Sequence, residues 1–179
     1  MNLPNKITVA RILLIPIFLA VYLMAPFPQV VNTWLSLIIF VTAASTDALD
    51  GHLARKLKLV TNFGKLIDPL ADKILVCAIL VAFTAQGVIP AWATILIIVR
   101  EFYISGFRQL AIEQNIVMAA SSLGKMKTIF QITLIVYVLL PFLVFDVIIL
   151  ILTITAVFFT LWSGWDYTAK NLKVLKGDF

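Results

Sequence analysis

Residues 31–72 decide the fold; they read VNTWLSLIIFVTAASTDALDGHLARKLKLVTNFGKLIDPLAD. One apolar run passes here into a second across a short charged connection. The first run, 31–50, has about the 20 residues that a helix needs to cross a hydrocarbon core of about 30 Å. Because a backbone in lipid has no water to bond, each run has to be helical. The stretch therefore predicts a pair of membrane-spanning helices.

The rest of the chain continues this arrangement of apolar runs separated by short breaks. Most of the prolines lie at or near the ends of the runs, where a helix tolerates them, and only Pro16 lies inside one. The predicted spans are Thr8–Ala25, Val31–Asp50, Asp68–Gln86, Ala91–Ile112, Lys127–Val144 and Val147–Lys170. We expect an all-α integral membrane protein in which residues 1–179 form a single bundle of six transmembrane helices.

The composition excludes most soluble classes of protein. Of the 179 residues, 62% are hydrophobic and 13% are charged, and the mean hydropathy is +1.06. A water-soluble domain of this size cannot bury so much apolar surface, and a disordered chain is far more polar. The net charge of +5 indicates membrane orientation and contact with anionic phospholipids rather than nucleic acid.

The basic residues lie on one side of the predicted membrane. All Lys and Arg except Arg100 fall near the chain ends or in or beside the connections on that side. The opposite connections, 25–30, 87–90 and 141–146, carry none. Because basic residues accumulate in cytoplasmic connections, we expect both termini of this multi-pass chain in the cytoplasm.

Four of the nine acidic residues lie close together at this same edge; they are Asp47, Asp50, Asp68 and Asp72. Each pair shares one face of its helix, and the short connection lets the two faces meet. Converging carboxylates repel one another, and protonation or a bound cation has to relieve the repulsion. Oxygen ligands favour a hard divalent ion such as Mg²⁺ or Mn²⁺. We therefore expect the functional site at the cytoplasmic edge of the second and third helices.

Small residues accompany the carboxylates. At about 100° per residue, Gly51 and Ala54 fall within the stripe, about 100° wide, that carries Asp47 and Asp50. Glycines such as Gly51 and Gly64 let a ligand approach the backbone closely. Tight packing between membrane helices uses the same residue types, so the spacing leaves both interpretations open.

Together these residues form one motif with fixed spacing. It reads Asp47-x2-Asp50-Gly51-x2-Ala54-Arg55-x8-Gly64-x3-Asp68-x3-Asp72. The motif matches every fixed position of the signature of the CDP-alcohol phosphotransferases, and six spans with cytoplasmic ends also resemble that family. Residues 2–11, 100–108 and 124–128 are similar to its branch of bacterial phosphatidylglycerophosphate synthases. The resemblance implies a homodimeric enzyme of the bacterial cytoplasmic membrane that acts in phospholipid biosynthesis.

The resemblance further implies a displacement at phosphorus. The 1-hydroxyl of glycerol-3-phosphate attacks the phosphorus of CDP-diacylglycerol that bears the diacylglycerol, and CMP leaves. The family pattern has Asp47, Asp50 and Asp68 hold one or two divalent ions, Mg²⁺ first and Mn²⁺ as the alternative. It makes Asp72 the general base and a further metal contact. The residues that would border the cytidine and pyrophosphate of CDP-diacylglycerol are Gly51, Ala54, Arg55 and Gly64.

The acceptor's phosphate needs cationic or hydroxyl donors of its own on the cytoplasmic side. The candidates for binding glycerol-3-phosphate are Thr8, Arg108, Lys125 and Lys127. The general excess of basic residues on that side, with lipid headgroups as partners, explains the three basic candidates as well. Both interpretations stay open at this stage.

Two charged residues lie near the middle of the fourth predicted span. Arg100 and Glu101 are about ten residues from Pro90, near the middle of the membrane, where charges pair or face a cavity. We expect them to form a buried structural pair. Alternatively, Glu101 orients Arg108, with which it shares a helix face.

Other functions fit parts of the pattern. A phosphatidylinositol-phosphate synthase or a cardiolipin synthase would carry the same signature, because the signature handles the shared CDP donor. A divalent-cation transporter would also place acidic residues in a membrane. Transporter sites lie near the midplane between repeated halves, however, whereas these carboxylates lie at one edge and the chain shows no repeat.

Overall fold

The computed structural model describes residues 3–57, 62–114, 122–142, 144–172 and 174, with the backbone alone for 3–7, 47–57, 62–69 and 72. Over these ranges the chain forms six α-helices and no strand, which confirms the predicted all-α class. The helices are α1 (Leu3–Met24), α2 (Gln29–Leu57), α3 (Asn62–Ala85), α4 (Ala91–Glu113), α5 (Ser122–Val138) and α6 (Asp146–Lys170).

Five of the predicted span ends differ from the helix ends by five residues or more, and two of these are the starts of α1 at Leu3 and of α5 at Ser122. α2 continues past Asp50 to Leu57, and α3 begins well before Asp68, so that Pro69 lies inside it. Hydropathy marks the part of a helix that suits lipid, whereas backbone hydrogen bonding continues into polar sequence. α5 ends at Val138 and not at Val144, since Pro141 cannot donate a helical hydrogen bond and restricts the residue before it.

Within the described ranges, two helices are long and apolar enough to cross a membrane. They are the stretch Gln29–Thr46 of α2 and the whole of α6. α1 and α3 contain the shorter apolar stretches Thr8–Met24 and Lys73–Ala85. α4 carries several charged side chains along its length, and α5 has only 17 residues. Six membrane crossings therefore stay a prediction.

The helices form two compact units. The first contains α1, α2 and α3 together with residues 139–142, and the second contains α4, α5 and α6. In the first unit α1 packs against both α2 and α3, which also contact each other; in the second, α6 packs against both α4 and α5. Each unit thus has one central helix. A single domain of residues 1–179 stays a prediction.

Aromatic side chains fill the centre of the first unit. Phe18 of α1 and Phe83 of α3 are fully buried, and Phe40 of α2 lies with them in the core. Tyr22 links the helices, because its ring centroid lies 5.6 Å from that of Phe18 and 5.3 Å from that of Phe83. Lipid is as apolar as these side chains, so close packing and not exclusion from water holds such helices together.

The turn between α1 and α2 is closed by one side chain. The Phe27 N–H donates to Asn32 Oδ1 over 3.2 Å, and Asn32 Nδ2 donates to the Phe27 carbonyl over 2.5 Å. Asn32 is buried at the start of α2. Because both backbone groups of Phe27 are satisfied, the chain enters α2 in one defined direction.

A pair of substitutions on α3 tests which face of this helix holds the first unit together. Ile79 is fully buried and Val81, two residues on, is 51% exposed. We expect Ile79→Ala to lower the free energy of unfolding by about 3 kcal/mol, because it leaves a cavity. Val81→Ala should change it by no more than about 0.5 kcal/mol. Thermal unfolding in detergent measures both, and equal losses would contradict the packing described.

Candidate active site

The backbone places the four aspartates of the motif on two helices of the first unit. Asp47 and Asp50 lie in α2, and Asp68 and Asp72 lie in α3. The helical register on which the shared stripes depend is therefore confirmed. The side chains of all four lie outside the described part of the structure, and their roles as metal ligands and base stay predictions. The same holds for Gly51, Ala54, Arg55 and Gly64.

Two polar residues of α1 are buried, and one of them contacts α2 next to Asp47. Arg11 is fully buried, and its Nε donates to Thr46 Oγ1 over 3.3 Å. Thr8, the acceptor candidate one turn earlier on α1, is 1% exposed. In the sequence, Arg11 counts only among the basic residues that orient the chain. A charged residue inside a predicted span was the signal that it is buried among polar groups.

In the second unit, one carboxylate holds two cations. Lys127 Nζ lies 2.5 Å and Arg100 Nη1 lies 3.2 Å from the same oxygen, Glu101 Oε1. Glu101 is 5% exposed and Lys127 is 8% exposed. The expected pair of Arg100 and Glu101 is therefore confirmed. The third member was missed, because Lys127 belongs to α5 and reaches Glu101 only when the two helices pack together.

Arg100 is anchored at its other end by α6. Its Nη2 donates to Ser163 Oγ over 2.9 Å, and Ser163 Oγ donates to the carbonyl of Thr160 over 3.0 Å. Gly164 makes room for the side chain, since a Cβ at this position would lie 3.2 Å from Arg100 Cγ. The guanidinium is thus fixed between Glu101 on α4 and the Ser163 hydroxyl on α6.

Arg108 is oriented by a tyrosine of α6. Its Nε donates to the Tyr167 hydroxyl over 2.9 Å, and its guanidinium carbon lies 5.2 Å from the centre of the same ring. Tyr167 is buried against Phe107 and Ile104. Among the described residues Tyr167 is the only hydrogen-bond partner of Arg108, so both Nη groups can donate elsewhere. Such a fork matches the oxygens of a phosphate.

The two lysine candidates of α5 differ in exposure. Lys127 is buried against Glu101, whereas Lys125 is exposed. Residues two apart on a helix point about 200° apart, so they cannot share one face. Arg108, Lys125 and Lys127 all belong to the second unit, and Thr8 belongs to the first. That these residues bind one ligand together stays a prediction.

Comparison with known proteins identifies the class of this apolar helical chain. A profile of the CDP-alcohol phosphatidyltransferase family matches residues 1–162, which include the whole aspartate motif. The chain belongs to the CDP-alcohol phosphatidyltransferase family. The predicted family and the predicted enzyme class, a transferase, are thereby confirmed. Family and apolar helices together make the chain a membrane protein.

Three similar bacterial proteins are named CDP-diacylglycerol–glycerol-3-phosphate 3-phosphatidyltransferase. The Bacillus subtilis protein is 46% identical over 98% of this chain and 97% of its own length. The Rickettsia bellii protein is 39% identical over 73% of this chain and 70% of its own length. The Rickettsia felis protein is 34% identical over 93% of both.

Two glycines inside helices of the second unit test how firmly Arg100 is held. Gly106→Ala places a Cβ in open space, and we expect it to stabilise the protein by about 0.5–1 kcal/mol, the usual gain over a helical glycine. Gly164→Ala should not show this gain and should lower the unfolding temperature. The reason is that Arg100 cannot move away from the new Cβ without weakening its contact with Glu101 or with Ser163. Thermal unfolding in detergent compares the two. Equal stabilisation would show that Arg100 moves freely.

Proposed function

We propose that this chain is a phosphatidylglycerophosphate synthase, which transfers the phosphatidyl group of CDP-diacylglycerol to glycerol-3-phosphate and releases CMP. The observation that carries the proposal is the 46% identity over nearly the whole chain to a protein whose name states both substrates. The aspartate motif contains the carboxylates that we assign as metal ligands and as the general base. The similar residues 100–108 and 124–128 contain three of the four acceptor candidates.

The reaction is a displacement in which one bond to phosphorus forms and one breaks. The 1-hydroxyl oxygen of glycerol-3-phosphate bonds to the phosphorus that carries the diacylglycerol. The bond from this phosphorus to the bridging oxygen breaks, and CMP leaves with the electron pair. The hydroxyl proton passes to the carboxylate of Asp72, which acts as general base. The place of Asp72 in the motif supports this role.

A divalent metal fits the chemistry of the donor set. Asp47, Asp50 and Asp68 would hold it, with Asp72 contacting a second ion, and carboxylate oxygens suit Mg²⁺ first and Mn²⁺ as the alternative. When bound, such an ion neutralises charge on the pyrophosphate and on the departing CMP. The donor's cytidine and pyrophosphate would lie along residues that are mostly small, namely Gly51, Ala54, Arg55 and Gly64.

The acceptor's phosphate would be bound by Arg108 and Lys127. Arg108 offers its two Nη groups while Tyr167 holds its Nε, which favours bidentate contact with a phosphate. Lys127 adds a point charge. The family resemblance keeps Lys125 and the Thr8 hydroxyl as further candidates for contact with glycerol-3-phosphate. The candidates for binding glycerol-3-phosphate therefore all lie outside the motif that we assign to the CDP donor.

We further propose that all six helices cross the cytoplasmic membrane of a bacterium and that both termini lie in the cytoplasm. The distribution of basic residues supports this orientation, and the similar proteins are bacterial. The acyl chains of the donor then lie among membrane phospholipids, and the motif meets water-soluble substrates at the cytoplasmic edge. The family resemblance also suggests a homodimer.

An acceptor assay with the purified protein tests the activity. With labelled CDP-diacylglycerol and Mg²⁺, we expect CMP release that requires glycerol-3-phosphate and stops when EDTA removes the metal. Asp72→Asn should lower turnover about 10²- to 10⁴-fold, because the general base is lost. Asp146→Asn, at an exposed acid that begins α6, is the matched control and should leave turnover unchanged.

Three outcomes would contradict the proposal. Turnover with inositol phosphate and none with glycerol-3-phosphate would assign the chain to another branch of the family. Turnover with phosphatidylglycerol alone would indicate a cardiolipin synthase. Cation flux through reconstituted vesicles, without any CMP release, would indicate a transporter.

Neutralising Arg108 tests the acceptor site separately from the donor site. We expect Arg108→Gln to raise the KM for glycerol-3-phosphate by roughly tenfold or more, because one bidentate phosphate contact is lost. The KM for CDP-diacylglycerol should stay the same. Lys170→Gln is the control for a general loss of positive charge, since Lys170 is exposed and pairs with Asp166. An equal effect of both substitutions on both substrates would overturn the assignment.

A further inference from the structure

The contacts of Arg100 and Glu101 together connect all three helices of the second unit. Glu101 of α4 contacts Lys127 of α5 at 2.5 Å, and its neighbour Arg100 reaches Ser163 of α6 at 2.9 Å. Both cations approach the same carboxylate oxygen, Glu101 Oε1. The side chains of Arg100 and Glu101 are only 11% and 6% exposed.

Glu101 contacts one more cation than a simple ion pair needs. A closed structural pair needs one cation for one carboxylate, as the sequence predicted for Arg100 and Glu101. Lys127 adds a second buried cation, which leaves the three residues with one net positive charge. A simple pair of Arg100 and Glu101 does not require Lys127, and an ammonium held on a buried carboxylate suits a role in binding an anionic ligand.

Glu101 also restricts where the Lys127 ammonium can lie. A lysine side chain has four rotatable carbon–carbon bonds, and fixing it costs about 2 kcal/mol of rotamer entropy. A hydrogen bond to a buried carboxylate meets this cost in the folded protein, before any ligand arrives. An ammonium has three N–H donors, so one directed at Glu101 is compatible with others directed at a phosphate.

We propose that Glu101 is a positioning residue that fixes Lys127 Nζ for the acceptor's phosphate, and that Arg100, anchored on Ser163, fixes Glu101 in turn. The proposal rests on the proposed function, in which Lys127 contacts glycerol-3-phosphate. It assigns Glu101 a partner on α5, instead of Arg108 on its own helix. Glu101 acts through Lys127 and does not itself touch the substrate.

A double-mutant cycle on Glu101 and Lys127 tests the proposal with the full-length enzyme in detergent. We expect Glu101→Gln to raise the KM for glycerol-3-phosphate by roughly tenfold and to leave the KM for CDP-diacylglycerol within about twofold of its original value. In the Lys127→Met background, Glu101→Gln should cause no further rise. Glu101→Asp keeps the charge at a shorter reach, and its KM should fall between those of the parent enzyme and Glu101→Gln.

A second buried contact on α5 supplies the matched control. Gln131, one turn after Lys127, donates to Thr160 Oγ1 of α6 over 3.1 Å and is 2% exposed. Gln131→Met removes a buried contact between helices but leaves the three charged residues in place. It should lower the unfolding temperature and leave the KM for glycerol-3-phosphate unchanged.

The outcomes separate the two proposals. If the parent enzyme does not use glycerol-3-phosphate, the proposed function fails. If it does, the positioning role is overturned by any of three results: the effect of Glu101→Gln persists undiminished beside Lys127→Met, it changes both KM values alike, or it changes only the unfolding temperature. Failure of both Glu101→Gln and Glu101→Asp to fold would also overturn it, because Glu101 would then be structural.

Discussion

The second unit depends on the compensation of charge inside an apolar protein. A lone buried carboxylate or guanidinium costs several kcal/mol, and lipid offers it no water. The unit meets this constraint by placing Arg100 and Lys127 on the one oxygen of Glu101 and by anchoring Arg100 on Ser163. One consequence is that α4, α5 and α6 are tied together by polar contacts at defined positions, whereas apolar packing alone would let them slide.

Much of the fold could be predicted from the sequence, because apolar runs of about 20 residues in a chain this hydrophobic have few alternatives to helices. All six helices occur where runs were found, but several of their ends do not. The end of α2 at Leu57 and the position of Pro69 inside α3 could not be predicted from hydropathy. Polar sequence neither requires nor forbids a further helical turn, and the choice depends on capping and tertiary contacts.

The candidate site, like the fold, could be predicted from the sequence only in part. Neighbours along one helix were predictable, so the shared register of Asp47 and Asp50 and the pair formed by Arg100 and Glu101 followed from spacing. Partners on different helices were not. Neither the contact of Lys127 with Glu101 nor that of Arg108 with Tyr167 leaves a signal in one sequence, since packing between helices decides both. The aspartate roles come from the family motif, which carries chemical information that periodicity lacks.

The length of α2 affects how a lipid-soluble reactant and a water-soluble reactant can meet. Its apolar stretch ends at Thr46, but the helix runs on to Leu57. At about 1.5 Å per residue, this continuation is about 16 Å long. In the proposed membrane orientation it extends beyond the hydrocarbon, and the motif, which begins on its first residue, starts in the headgroup layer. In the proposed reaction, the lipid donor can stay anchored in the bilayer while charged glycerol-3-phosphate diffuses in from water and CMP diffuses out. Neither of these two water-soluble molecules then has to enter the hydrocarbon.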